Sequence, residues 1–390
     1  MNNLTVKQQY SLADVPASDW NALLRQSSPF LRYEFLRAME ADCLSTQLGW
    51  SPAYFMVYQD NKLVGAMPSY KKTNSFGEFV FDWSWASAYE QSGLNYYPKL
   101  VAAVPFTPVT GQRVLYQSDQ DAQRIVDVLV NQIKQTVDAE YSSFHCLFPE
   151  QTDKEQLQQQ GLLIRQGYQY HWTNQNYTDF DHYLSFFKSR KRKKARRERE
   201  KSQEAGMRCL RLSGQQLEQR HWEILYEFYV RTFYEKYNHP SLTLDFFLSL
   251  ASTMPENLMA VVAEPVGDAS FIDQPQTAVA AAIFFQDETS LYGRYWGCRE
   301  RYDALHFEVC FYQGIEYCIE QGLQRFEPGA QGEHKITRGF LPTETWSAHY
   351  IAHPGFRRGI EEFLARETAL LKDHKIELDS MSPFRDPDVD

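Results

Sequence analysis

The densest concentration of groups able to do chemistry runs from Phe326 to Phe340: Phe-Glu-Pro-Gly-Ala-Gln-Gly-Glu-His-Lys-Ile-Thr-Arg-Gly-Phe. A carboxylate, an imidazole, an ammonium and a guanidinium, on Glu333, His334, Lys335 and Arg338, fall within six residues, with Glu327 and Gln331 just before them. Gly329 and Gly332 permit tight turns whose backbone N–H groups can face a ligand. The run follows a strand predicted over 323–328, so it belongs beyond a strand's carboxyl end, where α/β sheets bind ligands. Thr345, Ser347 and His349 extend the polar series on alternate positions, which a strand turns to one face. Upstream, His306 and Glu308 lie on a predicted helix, preceded by Arg294, Tyr295 and Trp296 on a strand. A second candidate lies in the first half. Asp82–Glu90, carrying Trp83, Trp85 and Tyr89, is followed by Tyr96-Tyr97-Pro98-Lys99 and by Pro105–Gly111 with Phe106 and Thr107. Aromatic, Pro and Gly residues without periodicity read there as an ordered binding loop or as a packed lid.

Several chemistries are disfavoured by spacings the chain lacks. No Gly-x-x-x-x-Gly-Lys-Ser/Thr, Gly-x-Ser-x-Gly, His-Glu-x-x-His or Gly-x-Gly-x-x-Gly is present. That speaks against P-loop NTPases, common serine hydrolases, zincins and Rossmann dehydrogenases. Cysteines 43, 146, 209, 298, 310 and 318 form no Cys-x-x-Cys pair, so reduced thiols in a cytosol are expected, and no metal site. Chemistry with neither metal nor covalent intermediate stays open.

The elements that must position these groups follow from periodicity. Ala53–Gln59 and Leu63–Lys71 read as a hairpin over Asp60-Asn61-Lys62, followed by a strand near 78–83 and an irregular stretch from Trp85 to Leu115. A helix over 119–139 carries Ile125, Val128, Leu129, Ile133 and Val137 at helical spacing. A strand over 142–148, a short helix over 153–160 and a strand over 163–172 come next. Downstream the order recurs: helices over 219–237 and 244–252, a strand over 258–264, and a hairpin of 278–286 with 290–298. A helix over 302–321 closes at Gly322; strands over 323–328 and 346–351 and a helix over 356–372 complete the series. This alternation predicts a mixed α/β fold of two similar lobes.

Charge is distributed unevenly. Lys188–Lys201, KSRKRKKARREREK, holds ten Lys/Arg and two Glu, a charge of +8 in a chain of net −10, which leaves −18 on the other 376 residues. One helix over 181–205 is predicted, capped by Asp179 or Asp181. It reads as a solvated connector, as a rail for RNA or phosphate groups, or as a membrane-surface helix, the last weakened by its lack of apolar residues. The 390 residues, 43% hydrophobic and 15% aromatic, suffice to bury a core without disulfides. The longest apolar run, Ala278–Phe285, has eight residues, far below the roughly 20 of a membrane helix. The N-terminus lacks a signal peptide's pattern, so a cytoplasmic location is expected.

Taken together, Trp83 to Tyr89, Tyr96 to Leu100 through Pro105–Gly111, Leu305-His306-Phe307-Glu308, and Phe326 to Thr345 with His349 resemble a bacterial family of predicted N-acyltransferases. That family is related to the FemAB-like enzymes of peptidoglycan synthesis. The resemblance spans nearly the whole chain, and Glu-Pro-Gly-Ala-Gln-Gly-Glu-His-Lys is a specific part of it. It implies tandem acyl-CoA N-acyltransferase (GNAT-like) domains over 1–180 and 206–375, joined by the basic helix 181–205 and followed by an irregular tail, 376–390. It also implies a transferase that moves an acyl or aminoacyl group to an amine by direct attack in a ternary complex. The ordinary GNAT pyrophosphate signature, Gln/Arg-x-x-Gly-x-Gly/Ala, is not evident, so the donor is left between an acyl-CoA of the acetyl-CoA kind and an aminoacyl-tRNA. An attacking ammonium of pKa about 10.4 must first lose a proton. Glu333 or His334 is the candidate base, with His306 and Glu308 as rivals. Lys335 and Arg338 are candidates for donor phosphate or substrate carboxylate. Glu327, Gln331, His349, Trp83, Trp85, Tyr89, Lys99, Phe106 and Thr107 are candidates for the surrounding contacts. The site is expected between the lobes or in the second lobe beside 327–338, with a local tRNA or phosphate contact at 188–201. Outside enzymes, the alternative is a non-catalytic nucleic-acid or precursor-binding module of the same fold.

Overall fold

Asp60 and Asn61 take positive φ angles of 48° and 67°, the left-handed pair that closes a two-residue hairpin without splaying its strands. Tyr54–Gln59 and Lys62–Met67 pair antiparallel across it. The computed structural model describes residues 4–26, 28–117, 121–236, 238–267, 269–330 and 332–385. The hairpin's second strand stops short of its predicted end, because Pro68 has no N–H to donate. Lys62–Met67 joins a sheet with Leu4–Gln9, Tyr54–Gln59 and Leu115–Tyr116, whereas Ser69–Lys72 joins another.

The chain forms two compact units, Met1–Tyr168 with Glu344–His374, and Gln169–Thr343 with Lys375–Asp390. They differ from the sequential halves 1–180 and 206–375. Residues 347–351 pair antiparallel with Ser143–Leu147, and Ile351, Ile360 and Leu364 pack with Trp85, Tyr89 and Tyr96. Those contacts tie 344–374 to the first unit.

In the first unit the larger sheet runs in the order Trp50–Pro52, Ser69–Lys72, Lys99–Ala102, Ser143–Leu147 and the 347–351 end of Leu341–Ile351. Lys99–Ala102 and Ser143–Leu147 are parallel, with helix Ala122–Glu140 in the connection between them. The helix buries Ile125, Leu129, Ile133 and Val137 against Phe55, Val57, Leu100 and Phe144. Asp121 caps it by accepting the Arg124 N–H at 3.2 Å. Residues 78–82, expected in a strand, form a loop, and Trp83–Gln91 is a helix that buries Trp85 and Tyr89 one turn apart. Lys99–Ala102 is a strand inside the stretch that reads as irregular.

The second unit's sheet runs Met207–Ser213, Leu258–Pro265, Ala280–Gln286, Ser290–Cys298, Arg325–Glu327 and the 169–173 end of Leu163–Thr173. Neighbours are antiparallel except Ser290–Cys298 with Arg325–Glu327. The connection between those two contains Leu305–Phe307, a π turn Glu308–Tyr312, and helix Gln313–Gln321 ending at Gly322 with φ 69°. Gly297 lets helix Gln219–Glu235 approach the sheet, since a Cβ there would strike the Phe228 carbonyl.

The basic region is two helices, not one: Phe180–Ser185, capped by the Asp179 side chain, and Ser189–Glu204. The break is made where Phe187 bridges to Phe384 and the Lys188 N–H bonds the Pro383 carbonyl at 2.8 Å. The last helix continues past 372 to Ser380, replacing part of the expected tail, because Leu378 is buried in the second unit's core.

Candidate functional site

Three strand segments of the second unit turn alternate polar residues to one face of its sheet. Tyr292 pairs with Glu327, Phe326 with Trp172, and Arg325 with Thr173. Tyr292, Arg325, Glu327, Gln169 and His171 therefore share a face, and Arg294, at a bulge between Gly293 and Tyr295, lies close enough to Glu327 to feel its charge. The opposite face is apolar, with Leu291, Phe326 and Trp172 fully buried.

Glu327 ends its strand and is 2% exposed. Arg325 Nε lies 3.2 Å from Oε1 and His171 Nε2 lies 4.0 Å from Oε2. Neither carboxylate oxygen accepts a hydrogen bond from a described residue. The Arg325 cation offsets part of the cost of burying this carboxylate, whose hydrogen-bonding capacity is left unmet among the described residues. His171 places Nε2 3.1 Å from the Gln169 amide oxygen, and its Nδ1 has no partner among the described residues. Burial holds this imidazole below its usual range against the pull of Glu327, with Arg325 and Lys335 acting the same way as burial. At neutral pH it is an uncharged ring.

Lys335 enters from the 3-10 helix Glu333–Arg338. Its Nζ donates to the Gly329 carbonyl at 2.7 Å, and burial lowers its pKa to about 8. Gly329 and Gly332 hold φ of 96° and 117°, and a Cβ at 332 would run into the His334 ring. This turn accepts glycine for reasons of both angle and space.

The remaining predicted groups divide. Arg338 is not available to a phosphate: Nε and Nη2 hold Glu198 at 3.0 and 2.8 Å, and Nη1 donates to the His334 carbonyl at 2.7 Å. Glu198 also accepts from the Tyr312 hydroxyl at 2.5 Å. Glu308 is engaged likewise, with Arg199 at 3.0 and 3.1 Å and Gln313 at 2.7 Å. Both carboxylate–guanidinium pairs fix the Ser189–Glu204 helix to its unit and remove Glu308 from the candidate bases. His306 and His334 do come together, their rings 6.5 Å apart beside Phe307 and Phe311. Burial, then the neighbouring His334 and cations, lower His306 to about 4; burial with Arg338 and Lys335 lowers His334. Glu333 is exposed at the start of the turn. Gln331 lies outside the described residues. Gln169 and His171 were not among the predicted residues; their alternation around Tyr170 is the signal that could have found them.

In the first unit the predicted contact residues are mostly interior. Lys99, 0% exposed, is paired with Glu78 at 2.8 Å and with Asp82, so two carboxylates already neutralise it. Asp82 accepts from the Tyr96 hydroxyl at 2.6 Å, which lies 3.3 Å from His145 Nε2. His145 and His349 share a hydrogen bond between their Nδ1 atoms at 2.6 Å. Burial, then the Lys99 cation, push His145 to about 3, and burial pushes His349 well down. His349 thus belongs to an interior network rather than to a substrate surface. Trp85 packs 4.9 Å from it, Tyr89 stacks on Phe356, and Phe106 and Thr107 are buried. Trp83 alone of this set is exposed, at 64%.

Among the described residues no helix is long and apolar enough to cross a membrane. Among solved structures, the chain is similar to the C-terminal domain of a protein assigned as a lysylphosphatidylglycerol synthetase from Agrobacterium fabrum. The identity is 10% over 87% of this chain and 92% of that one, with TM-score 0.53. It is also similar to FemX (11%, 91% and 100%, 0.50) and to L-PGS from Bacillus licheniformis (11%, 84% and 93%, 0.50). At these identities the likeness is one of fold, a mixed α/β one. A comparison with curated proteins gives no match. The profile of the FemAB-like family, described as peptidoglycan biosynthesis/recognition, matches residues 11–386, and the chain belongs to that family.

Proposed function

We propose that the chain moves an acyl or aminoacyl group onto an amine of a cell-envelope precursor, with its chemistry on the polar face of the second unit's sheet. Family membership supports the precursor class. The observation that carries the reaction type is Glu327, a buried carboxylate with no hydrogen-bond donor among the described residues, beside uncharged His171 and the Lys335 ammonium. The acceptor ammonium docks on Glu327 and gives it a proton. The freed amine attacks the donor carbonyl, and a C–N bond forms as the C–S bond of a thioester or the C–O bond of an aminoacyl ester breaks. The second proton, shed by the nitrogen after attack, passes to the departing thiolate or ribose oxygen, and the proton on Glu327 leaves through solvent. Lys335 and Arg294 supply positive charge for the developing oxyanion or for a donor phosphate. Glu333, His334 and His306 serve as contacts at the turn, and no Ser or Cys nucleophile is needed.

A tRNA-borne donor is favoured over a CoA thioester by one feature. Lys194, Arg196, Arg197, Arg199 and Lys201 are ion-paired, whereas Arg190, Lys191, Arg192 and Lys193 have no carboxylate partner among the described residues. Incubating the full chain with panels of acyl-CoAs and charged tRNAs, and scoring acylated amines by mass spectrometry, tests both readings. Transfer from one panel identifies the donor class. Binding without turnover across both panels favours a precursor-binding module instead.

A further inference from the structure

Residues 73–89 of the first unit are built inside out. Phe76, Phe79, Phe81 and Trp83 are 44, 41, 46 and 64% exposed, whereas Glu78 and Asp82 in the same stretch are 3 and 2% exposed. Both carboxylates close on Lys99, and between Lys71 and Glu90 no charged side chain is exposed. A loop that had only to stay in water would bury the rings and expose the charges. Phe79 even holds a left-handed φ of 60°, an uncommon conformation for a residue with a bulky side chain. Phe81 and Trp83 pack 4.8 Å apart, and Arg165 fixes the loop by donating to the Phe81 carbonyl at 2.7 Å.

Ser84 and Trp85 carry this surface into a groove of about 520 Å³ between helix Trp83–Gln91 and the start of helix Pro354–Ser380, walled by Ala88, Phe356, Ile360 and Phe363. Trp85 Nε1 and the hydroxyl of Tyr89, which stacks on Phe356, are buried without a hydrogen-bond partner among the described residues. The groove itself is lined almost wholly by apolar atoms, which fits a hydrocarbon occupant.

We propose that this surface seats the first unit on the neutral interface of a lipid bilayer, with Phe81 and Trp83 in the headgroup–acyl boundary and hydrocarbon in the groove. Exposed Phe and Trp without accompanying charge suit that layer, where amphipathic rings settle. Arg165, the cation held against the Phe81 carbonyl, is paired with Glu367 at 2.7 Å, so anionic lipid adds little. The inference is independent of the transfer chemistry, because vesicle binding is read without substrate.

The test is co-sedimentation of the full chain with phosphatidylcholine vesicles over a range of salt. The parent should bind with little salt dependence, and brominated lipid should quench part of its Trp emission. Phe81→Ser with Trp83→Ser should weaken binding by about tenfold or more. Tyr234→Ser, which removes a ring 59% exposed in the second unit, should bind like the parent. If the double variant loses its thermal transition, Trp83→Ser alone decides. A parent that ignores phosphatidylcholine overturns the proposal, as does binding confined to anionic vesicles and abolished by salt. Dimerisation reversed by the double variant also overturns it, and would assign the patch to a second copy of the chain.

Discussion

An ammonium whose pKa burial has lowered to about 8 changes charge inside the range a rate assay can scan, and Lys335 is such a group. Its cation is present below that pH and lost above it. If the charge steadies an oxyanion or phosphate, the rate falls as pH rises through about 8. Lys335→Arg, whose guanidinium does not titrate there, should keep the profile level across that pH. A parent profile level across the same range would contradict the role. Lys99 makes the opposite case, a cation held for the fold. Lys99→Met strands Glu78 and Asp82 in the interior and should cost about 3–5 kcal/mol in urea unfolding; a loss under about 1 kcal/mol would show the pairing to be dispensable. Glu327, His334 and Lys335 read as candidates because chemically capable types cluster there in sequence, with Glu327 read as a contact and Glu333 or His334 as the base. The engagement of Arg338 by Glu198 and of Glu308 by Arg199 was not, since those partners lie 140 and 109 positions away. Composition cannot tell a free cation from a paired one.

Helix Ser189–Glu204 places its unpaired cations in its first turns and has no acidic residue there, so they sit at the end of the helix dipole that repels them. Burial, and the cations Lys194, Arg190 and Lys188, lower the pKa of Lys191. A polyanion would relieve this crowding. Neutralising Arg190, Lys191, Arg192 and Lys193 together should weaken tRNA binding alike for all sequences. It should also flatten log K against log salt by about 0.7–0.9 for each phosphate that the helix no longer neutralises. An unchanged slope and affinity would make the helix a solvated connector. Helical spacing made the long amphipathic elements readable, Ala122–Glu140 above all. The break at Phe187 was hidden, because its cause is a bridge to Phe384 far along the chain. Helix Trp83–Gln91 was hidden for another reason: with two buried residues in nine, it carries too little pattern to separate it from a loop.

At the scale of the molecule, the repeated order of hairpin, helix and strand made two α/β lobes legible, but not their membership. Residues 344–374 belong to the first unit through the pairing of 347–351 with Ser143–Leu147, a long-range choice that local propensity does not encode. The −18 carried outside Lys188–Lys201 keeps any nucleic-acid contact local, since most of the surface repels a polyanion. The proposed acyl transfer depends on one carboxylate, Glu327, acting as the base. The direct measurement compares the parent chain with Glu327→Gln across the acyl-CoA and charged-tRNA panels, by single-turnover rate of amine acylation. The parent is predicted to transfer from one donor class, with the variant slower by about 10²–10⁴ while binding the donor equally. Equal rates in the two proteins would contradict the assignment of Glu327, and no transfer by the parent from any donor would contradict the proposed chemistry itself.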